Sequence, residues 1–481
     1  MSAPPPRISA TVSTSALENF TSKLVDIPIE RGGEAISELS MDTYWKAKAL
    51  AANGRQIVAD AVVRPRSAPE VARVLAAASE VGVPVTPRGG GSGSQGGAVP
   101  DRGGIVLDTS ALDEIIELDE LSQTVRVQAG VGGLDLENWL NERGYTFPHF
   151  PASVHLARVG GYLAAKGSGV LSTKYGKIED LVASMEVALP TGELIRTPSV
   201  PRHSVGPDLN QLFIGSEGTL GVITEATLLV RTLPERRDLR LFTFPDITSA
   251  VEAMRKIIQR GWRPSIIRVH DPSATDSNLG RVLGVDVSGV VAVVGFDGPS
   301  SLVDLEVREV TSHILAGGGA EGDSSIAEAW WESRYKIYYP PFRPELPWIW
   351  GTADIVASYD RILPAYDALR SFFTSAYPDV DMSFAGHFSH WYSWGAMVYG
   401  RFTAKSPPED IDDAVTLYDD IWHRSSEIVL SHGALLNDHH GVGLKLTNHV
   451  AAQWGPAWKV IEEIKRALDP AQISNPGKLG L

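Results

Sequence analysis

Four stretches carry residue types that can do chemistry. Near the end, LLNDHHGVGLKLTNH sets Asp438 before the adjacent histidines His439 and His440, with His449 further on. Adjacent histidines on a loop can be metal ligands, acid–base groups or neither, and the H-E-x-x-H spacing of a metalloprotease is absent. A second stretch, WWESRYKIYYPPFRPELPWIW, surrounds Arg343 with tryptophans, tyrosines and phenylalanine. A guanidinium is the group for bidentate capture of an oxyanion, and the rings around it suit a bulky or aromatic ligand body. Between these lies HFSHWYSWGAMVYGRF, strand-like and dense in aromatics. Such density usually means core. The fourth, PRGGGSGSQGG at 87–97, has almost no side chains. Amides freed of Cβ atoms form a concave nest for anions, whereas the same composition elsewhere makes a linker.

The flanking elements favour the nest. Val71, Val74, Leu75 and Ala78 fall on one helix face, Pro69 suits the first turn and Gly82 the stop. The sequence therefore predicts strand, helix, strand, glycine loop and then the strand GGIVLDTS. A loop inside such a packed unit is a phosphate cradle. It is not a P-loop, because no lysine occurs between Lys48 and Lys166. Gly91, Gly93 and Gly96 match dinucleotide spacing, but a turn and a strand follow where a helix should open. Strand-rich, glycine-rich sequence continues to about 232, and LPERRD then breaks the pattern. Beyond it helix and strand alternate, and the chain ends in helical sequence.

Composition narrows the class. The 481 residues carry a formal charge of −15 with 43% hydrophobic residues, which describes a globular chain that attracts neither nucleic acid nor anionic membrane. No apolar run approaches the ~18 residues of a membrane span. Zero cysteines remove disulfides, iron–sulfur clusters and thiolate chemistry. Redox work would then need an organic cofactor or a histidine-held metal. Without a secretory signal the cytoplasm is the expected compartment.

Four ordered blocks together resemble the flavoproteins of the vanillyl-alcohol oxidase type, within them the alkyldihydroxyacetone-phosphate synthase-like and D-2-hydroxyacid dehydrogenase-like branches. They are PRGGGSGSQGG, PASVHLARVGGYLAAKGSGVLSTKYGKIEDLV, GPDLNQLFIGSEGTLGVITEATL and NDHHGVGLKL. The resemblance implies an α+β fold: an N-terminal arm (1–54), a two-part FAD-binding domain (55–234), an α+β cap or substrate domain (235–430) and a C-terminal return carrying the catalytic loop (431–481). It implies FAD, bound without a covalent link because Ser92 stands near the place of the histidine that carries the link in other members.

Carried over residue by residue, the cofactor contacts are Pro87, Arg88, Gly89, Gly90, Gly91, Ser92, Gly93, Ala152, Ser153, Arg158, Gly160, Gly161, Ala165, Ser168, Glu217, Gly218, Gly221 and Ile223. The catalytic set is His439, His440, Asp438 and Tyr392, with no metal. The synthase branch has three consecutive histidines before GVG, and here the first is Asp438. An aspartate beside a histidine orients it, so Asp438–His439 reads as a base with its positioning carboxylate. Arg343 is the expected anion-binding arginine, with Arg158, where the synthase has threonine, behind it. Arg268 matches a family arginine and is read as structural. The activity implied is hydride transfer from an alcohol to flavin, the alcohol being a 2-hydroxy acid or a bulky aromatic alcohol. The alternative is redox-neutral exchange of acyl for alkyl on a ketose phosphate. The broken triplet, Arg158 and a chain ending KLGL without a peroxisomal signal count against it. The expected partners are a small-molecule substrate, oxygen or a carrier as electron acceptor, and a second copy in a homodimer.

Overall fold

The computed structural model describes residues 7–336 and 345–481. Arg343, together with Tyr338, Tyr339 and Phe342, lies outside the described residues.

The predicted helix spans Ala68–Val81. The Ser67 hydroxyl accepts from the Glu70 amide at its start, Pro69 sits in its first turn, and Gly82 closes it in the left-handed region at φ 71°. Its face of Val71, Val74, Leu75 and Ala78 is fully buried. The helix connects Ala61–Val63 to Val85–Arg88, and both strands run parallel to Ile105–Asp108 between them. Ile29–Glu30 from the N-terminal arm adds the fourth strand at the edge. The glycine loop leaves the C-terminal end of Val85–Arg88, where parallel α/β units place their ligands.

A second, antiparallel sheet follows, ordered Ile115–Asp119, Thr124–Gln128, Val222–Leu229, Val182–Ala188, Leu194–Arg196. Its buried valines and leucines pack against the helices Gly133–Asn141 and Val159–Ala164. The two sheets stand where the resemblance expects the two parts of the FAD-binding unit.

The LPERRD segment departs from the expected break: Arg236–Phe244 is a strand of the next sheet. Its charges pair along the outer face, Asp238 receiving both Arg236 and Arg240, while Leu239 and Leu241 turn inward. That sheet has seven strands, and its centre joins Ile266–His270 to the hairpin Met382–Trp391 and Gly395–Ala404, with Ile349–Ser358 at one edge. The expected middle helices are present as Ile247–Gln259 and Ser300–Ala316, and the helical end opens with Ile411–Ser431. The terminal helical sequence is split, because Gly455 and Pro456 interrupt it between Thr447–Trp454 and Trp458–Leu468. One face of the seven-stranded sheet is covered by helices; its central strands turn the other toward the FAD-binding unit. Among the described residues no helix is long and apolar enough to cross a membrane.

Candidate active site

One continuous cavity of about 330 Å³ lies between the FAD-binding unit and the cap sheet. Its floor is Pro87–Gly93, Ala152, Ser153, Arg158, Gly160, Gly161, Ala165, Ser168, Glu217, Gly218, Gly221 and Ile223, which is the whole expected cofactor set. Its roof is Arg268, His387, Ser389, His390, Tyr399, Arg401, His439 and His440.

The floor fits a dinucleotide pyrophosphate. The amides of residues 89–94 donate to no acceptor among the described residues, so they remain free for an anion. Thr43 of the arm accounts for the loop's carbonyl side, its amide and hydroxyl donating to the Gly93 oxygen at 2.8 and 2.7 Å. Gly91 has φ +61°, and a Cβ there would meet the Arg88 guanidinium at 2.3 Å. The two glycines opening Val159–Ala164 do different work. A Cβ on Gly160 would meet the Ala129 methyl at 2.8 Å, a helix–sheet contact, whereas Gly161 has open space before it. Arg158 stands at the N-terminus of that helix, its guanidinium donating to the Gly130 carbonyl and its Cβ against Gly89. It belongs to the loop side of the cavity and does not meet the histidines.

Strand alternation builds the roof. His387 and Tyr399 are direct partners on neighbouring strands and stack at 4.8 Å, while Phe388 and Trp391 point into the core. A bulge between Phe388 and His390 lets Ser389 and His390 both face the cavity. The histidine loop is held from two sides. The Asn437 side chain accepts from the amides of His439 and His440 at 3.0 and 2.7 Å, and the Asp438 amide donates to the Asp354 carbonyl at 2.8 Å.

Two buried carboxylates stand behind the histidines. Asp438 lies 2.8 Å from His390 Nδ1, 3.2 Å from His439 Nδ1 and 3.5 Å from Lys177 Nζ, and accepts from the Tyr392 hydroxyl at 2.9 Å. Burial alone would raise its pKa, but His390, His439 and Lys177 outweigh it and hold the group well below the usual range. Asp354, fully buried, sits 2.9 Å from His440 Nδ1 and 3.5 Å from His439 Nδ1. Neither contact meets hydrogen-bond geometry, so these are close polar contacts and not aligned hydrogen bonds. Burial opposes its ionisation, and His440, His439 and Lys445 bring it down to about 2. Burial lowers His439 to about 4, against the pull of Asp438. Neutral His439 thus faces the cavity with Nδ1 turned to carboxylates and Nε2 left as acceptor.

Tyr392 reaches the cavity only through Asp438. Its ring stacks on Trp394 at 4.9 Å outside the lining, and burial together with Asp438 pushes its hydroxyl pKa up. Residues that sequence reasoning passed over are His149, Asp354, His387, His390 and Arg401. His149 lines the cavity with both ring nitrogens buried and without hydrogen-bond partners among the described residues, and burial lowers it to about 3. Period-two alternation in HFSHWYSWGAMVYGRF was the available signal for His387 and Arg401.

Residues 59–198 match the FAD binding domain family, and residues 233–479 match the C-terminal domain of the FAD linked oxidases. The chain is 29% identical over 456 residues to an alkyldihydroxyacetonephosphate synthase of Dictyostelium discoideum, covering 87% of this chain and 73% of that protein. It is 28% identical over 432 residues to the glycolate oxidase subunit GlcD of Bacillus subtilis, covering 88% and 89%. A solved alkyldihydroxyacetonephosphate synthase superposes with a TM-score of 0.81 at 25% identity, over 99% of this chain and 89% of that one. With the free-amide cradle and the glycine floor in one cavity, these likenesses make the chain an FAD-binding member of the FAD-linked oxidase family, the flavoproteins of the vanillyl-alcohol oxidase type.

Proposed function

We propose that this flavoprotein oxidises an alcohol, a 2-hydroxy acid or a bulky aromatic alcohol. The observation that carries the reading is the placement of neutral His439 and its neighbour His440 on the cofactor's own cavity, backed by two buried carboxylates. FAD, held by residues 87–93, 152–168 and 217–223, supplies the two-electron acceptor for the carbinol hydrogen. The chain's part is proton management. His439 Nε2 takes the hydroxyl proton, and Asp438, kept ionised, stabilises the imidazolium that results. His390 and Lys177 fix Asp438, and Tyr392 completes its coordination from outside. Arg343 remains the expected anion contact from the sequence.

The likeness to alkyldihydroxyacetonephosphate synthases favours a second reading, redox-neutral exchange of acyl for alkyl on a ketose phosphate. Asp438 in place of the first histidine weakens it. Anaerobic mixing of the holoenzyme with 2-hydroxy acids and aromatic alcohols tests the proposal through bleaching of the flavin absorbance. No bleaching with any alcohol, alongside alkyl product from an acyl ketose phosphate and a long-chain alcohol, would establish the second reading instead.

A further inference from the structure

The roof of the cavity holds two guanidinium groups that the proton chemistry does not use. Arg268, on Ile266–His270, donates from Nη2 to His387 Nε2 at 2.7 Å, and its buried Nε has no hydrogen-bond partner among the described residues. Arg401, on Gly395–Ala404, is paired across the sheet with Ala385, and both residues line the cavity. Neither has a carboxylate within ion-pair distance among the described residues, and residues 337–344 contain no acid. Asp271 is the acid whose charge reaches Arg401. Its carboxylate is already committed to the Tyr366 hydroxyl at 2.9 Å and to the amides of Ala274 and Gly386, each at 2.7 Å.

Two arginines facing a common cavity without a counter-ion among the described residues are costly unless a ligand supplies one. Burial, with Arg401 nearby, lowers Arg268 only to about 10, so it stays cationic at neutral pH. The same two charges, after burial, hold His387 between them neutral, as the acceptor of Arg268's hydrogen bond. A buried cationic wall in a chain of net charge −15 is therefore local and specific.

The spacing says where on a substrate the anion lies. Tyr399 contacts the His440 ring at 5.5 Å and stacks on His387 at 4.8 Å, and His387 in turn touches Arg268. Arg268 is thus two ring contacts removed from His440, and Arg401 lies two residues along the strand from Tyr399. The geometry points to Arg268 and Arg401 as a subsite for a distal oxyanion, a phosphate ester or a carboxylate several bonds from the reacting carbinol. That such a ligand is an alcohol substrate rests on the oxidation reading; the subsite itself does not.

Isothermal titration calorimetry of the FAD-loaded protein with inorganic phosphate, and separately with malonate, tests it without turnover. Saturable binding of one equivalent is expected. Phosphate without malonate identifies a phosphate ester, and the converse a carboxylate. Arg401→Gln should weaken binding by about 30-fold or more, as for loss of one partner of a buried charge pair. Arg401→Lys, with full FAD content as the check on folding, should recover little because a point charge does not reproduce the fork. Equal affinity in wild type and both variants, or no saturable heat in wild type, overturns the subsite. So does a loss confined to Arg343→Ala. Anion binding without bleaching by any alcohol would leave the subsite standing and remove the oxidation reading, whereas bleaching without anion binding does the reverse.

Discussion

Glu217 holds Gly443: its Oε2 accepts the Gly443 amide at 2.8 Å, and Oε1 accepts that of Val442. A carboxylate from the cofactor side of the cavity thereby anchors the loop that carries His439 and His440. Burial pushes this carboxyl up to about 7, against the two amides that favour its charge. Glu217→Gln keeps the volume but offers one acceptor to two donors, leaving one amide facing an NH2 group. The rate of flavin reduction should fall by about tenfold or more, with FAD content retained. The sign of the pH effect follows from the raised pKa. Between the ordinary carboxyl value and about 7 the folded state holds a proton that the unfolded state has lost, so this group's contribution to stability declines as pH rises through that window. In Glu217→Gln that part of the decline should vanish from urea midpoints measured across pH 5 to 8. An unchanged decline would mean that Glu217 does not carry it.

His439→Ala and Asp438→Asn should each slow anaerobic flavin reduction by about 10²-fold or more. In the wild type the rate should fall as pH drops through about 4, where His439 takes up a proton and ceases to accept one. Asp438→Asn removes the charge that supports the imidazolium, so the residual rate should lose that acid limb. If both variants reduce flavin at the wild-type rate, proton removal passes to His440 with Asp354, and His440→Ala becomes the deciding variant.

The elements around the cradle were legible because local signals agreed with one another. Ser67, Pro69, the Val71–Ala78 face and Gly82 each mark the same helix, and no tertiary override was needed. The strand at Arg236–Phe244 was hidden because charges on its outer face look like a break until their pairing along the strand is seen. In the site, His439 and His440 announced themselves as neighbours, but their second carboxylate did not. Asp354 lies in a separate strand, and the contact exists only through the fold. Arg401 was equally silent, since its place in the cavity roof arises only from strand pairing.

Gly91→Val should abolish FAD binding. The residue sits at φ +61°, and its Cβ position is already occupied by the Arg88 guanidinium. Because such a variant can fail by misfolding, Gly161→Leu is the sharper test. Its Cβ meets nothing within 4 Å, and the position lines the cofactor's cavity. It should fold with a normal far-ultraviolet circular dichroism spectrum and yet lose FAD. Stoichiometric FAD in Gly161→Leu would assign the helix glycines to packing alone.

The last prediction separates the two substrate classes. A protein of net charge −15 repels anions at long range, so an anionic substrate needs guanidinium groups in the cavity. The sequence offers Arg343 for a carboxylate beside the carbinol, while Arg268 and Arg401 stand in the roof of the cavity. An aromatic alcohol would lean on rings instead, among them Tyr399 and the tryptophans near Arg343. Steady-state kinetics with a hydroxy acid and its neutral methyl ester measure the difference. For an acid substrate, Arg343→Ala should lower kcat/KM by about 30-fold or more on the acid and far less on the ester, since only the acid loses a charge-assisted pair. Arg343→Lys should restore little of it. Equal efficiency on acid and ester, untouched by Arg343→Ala, would end the hydroxy-acid class and leave the aromatic alcohol.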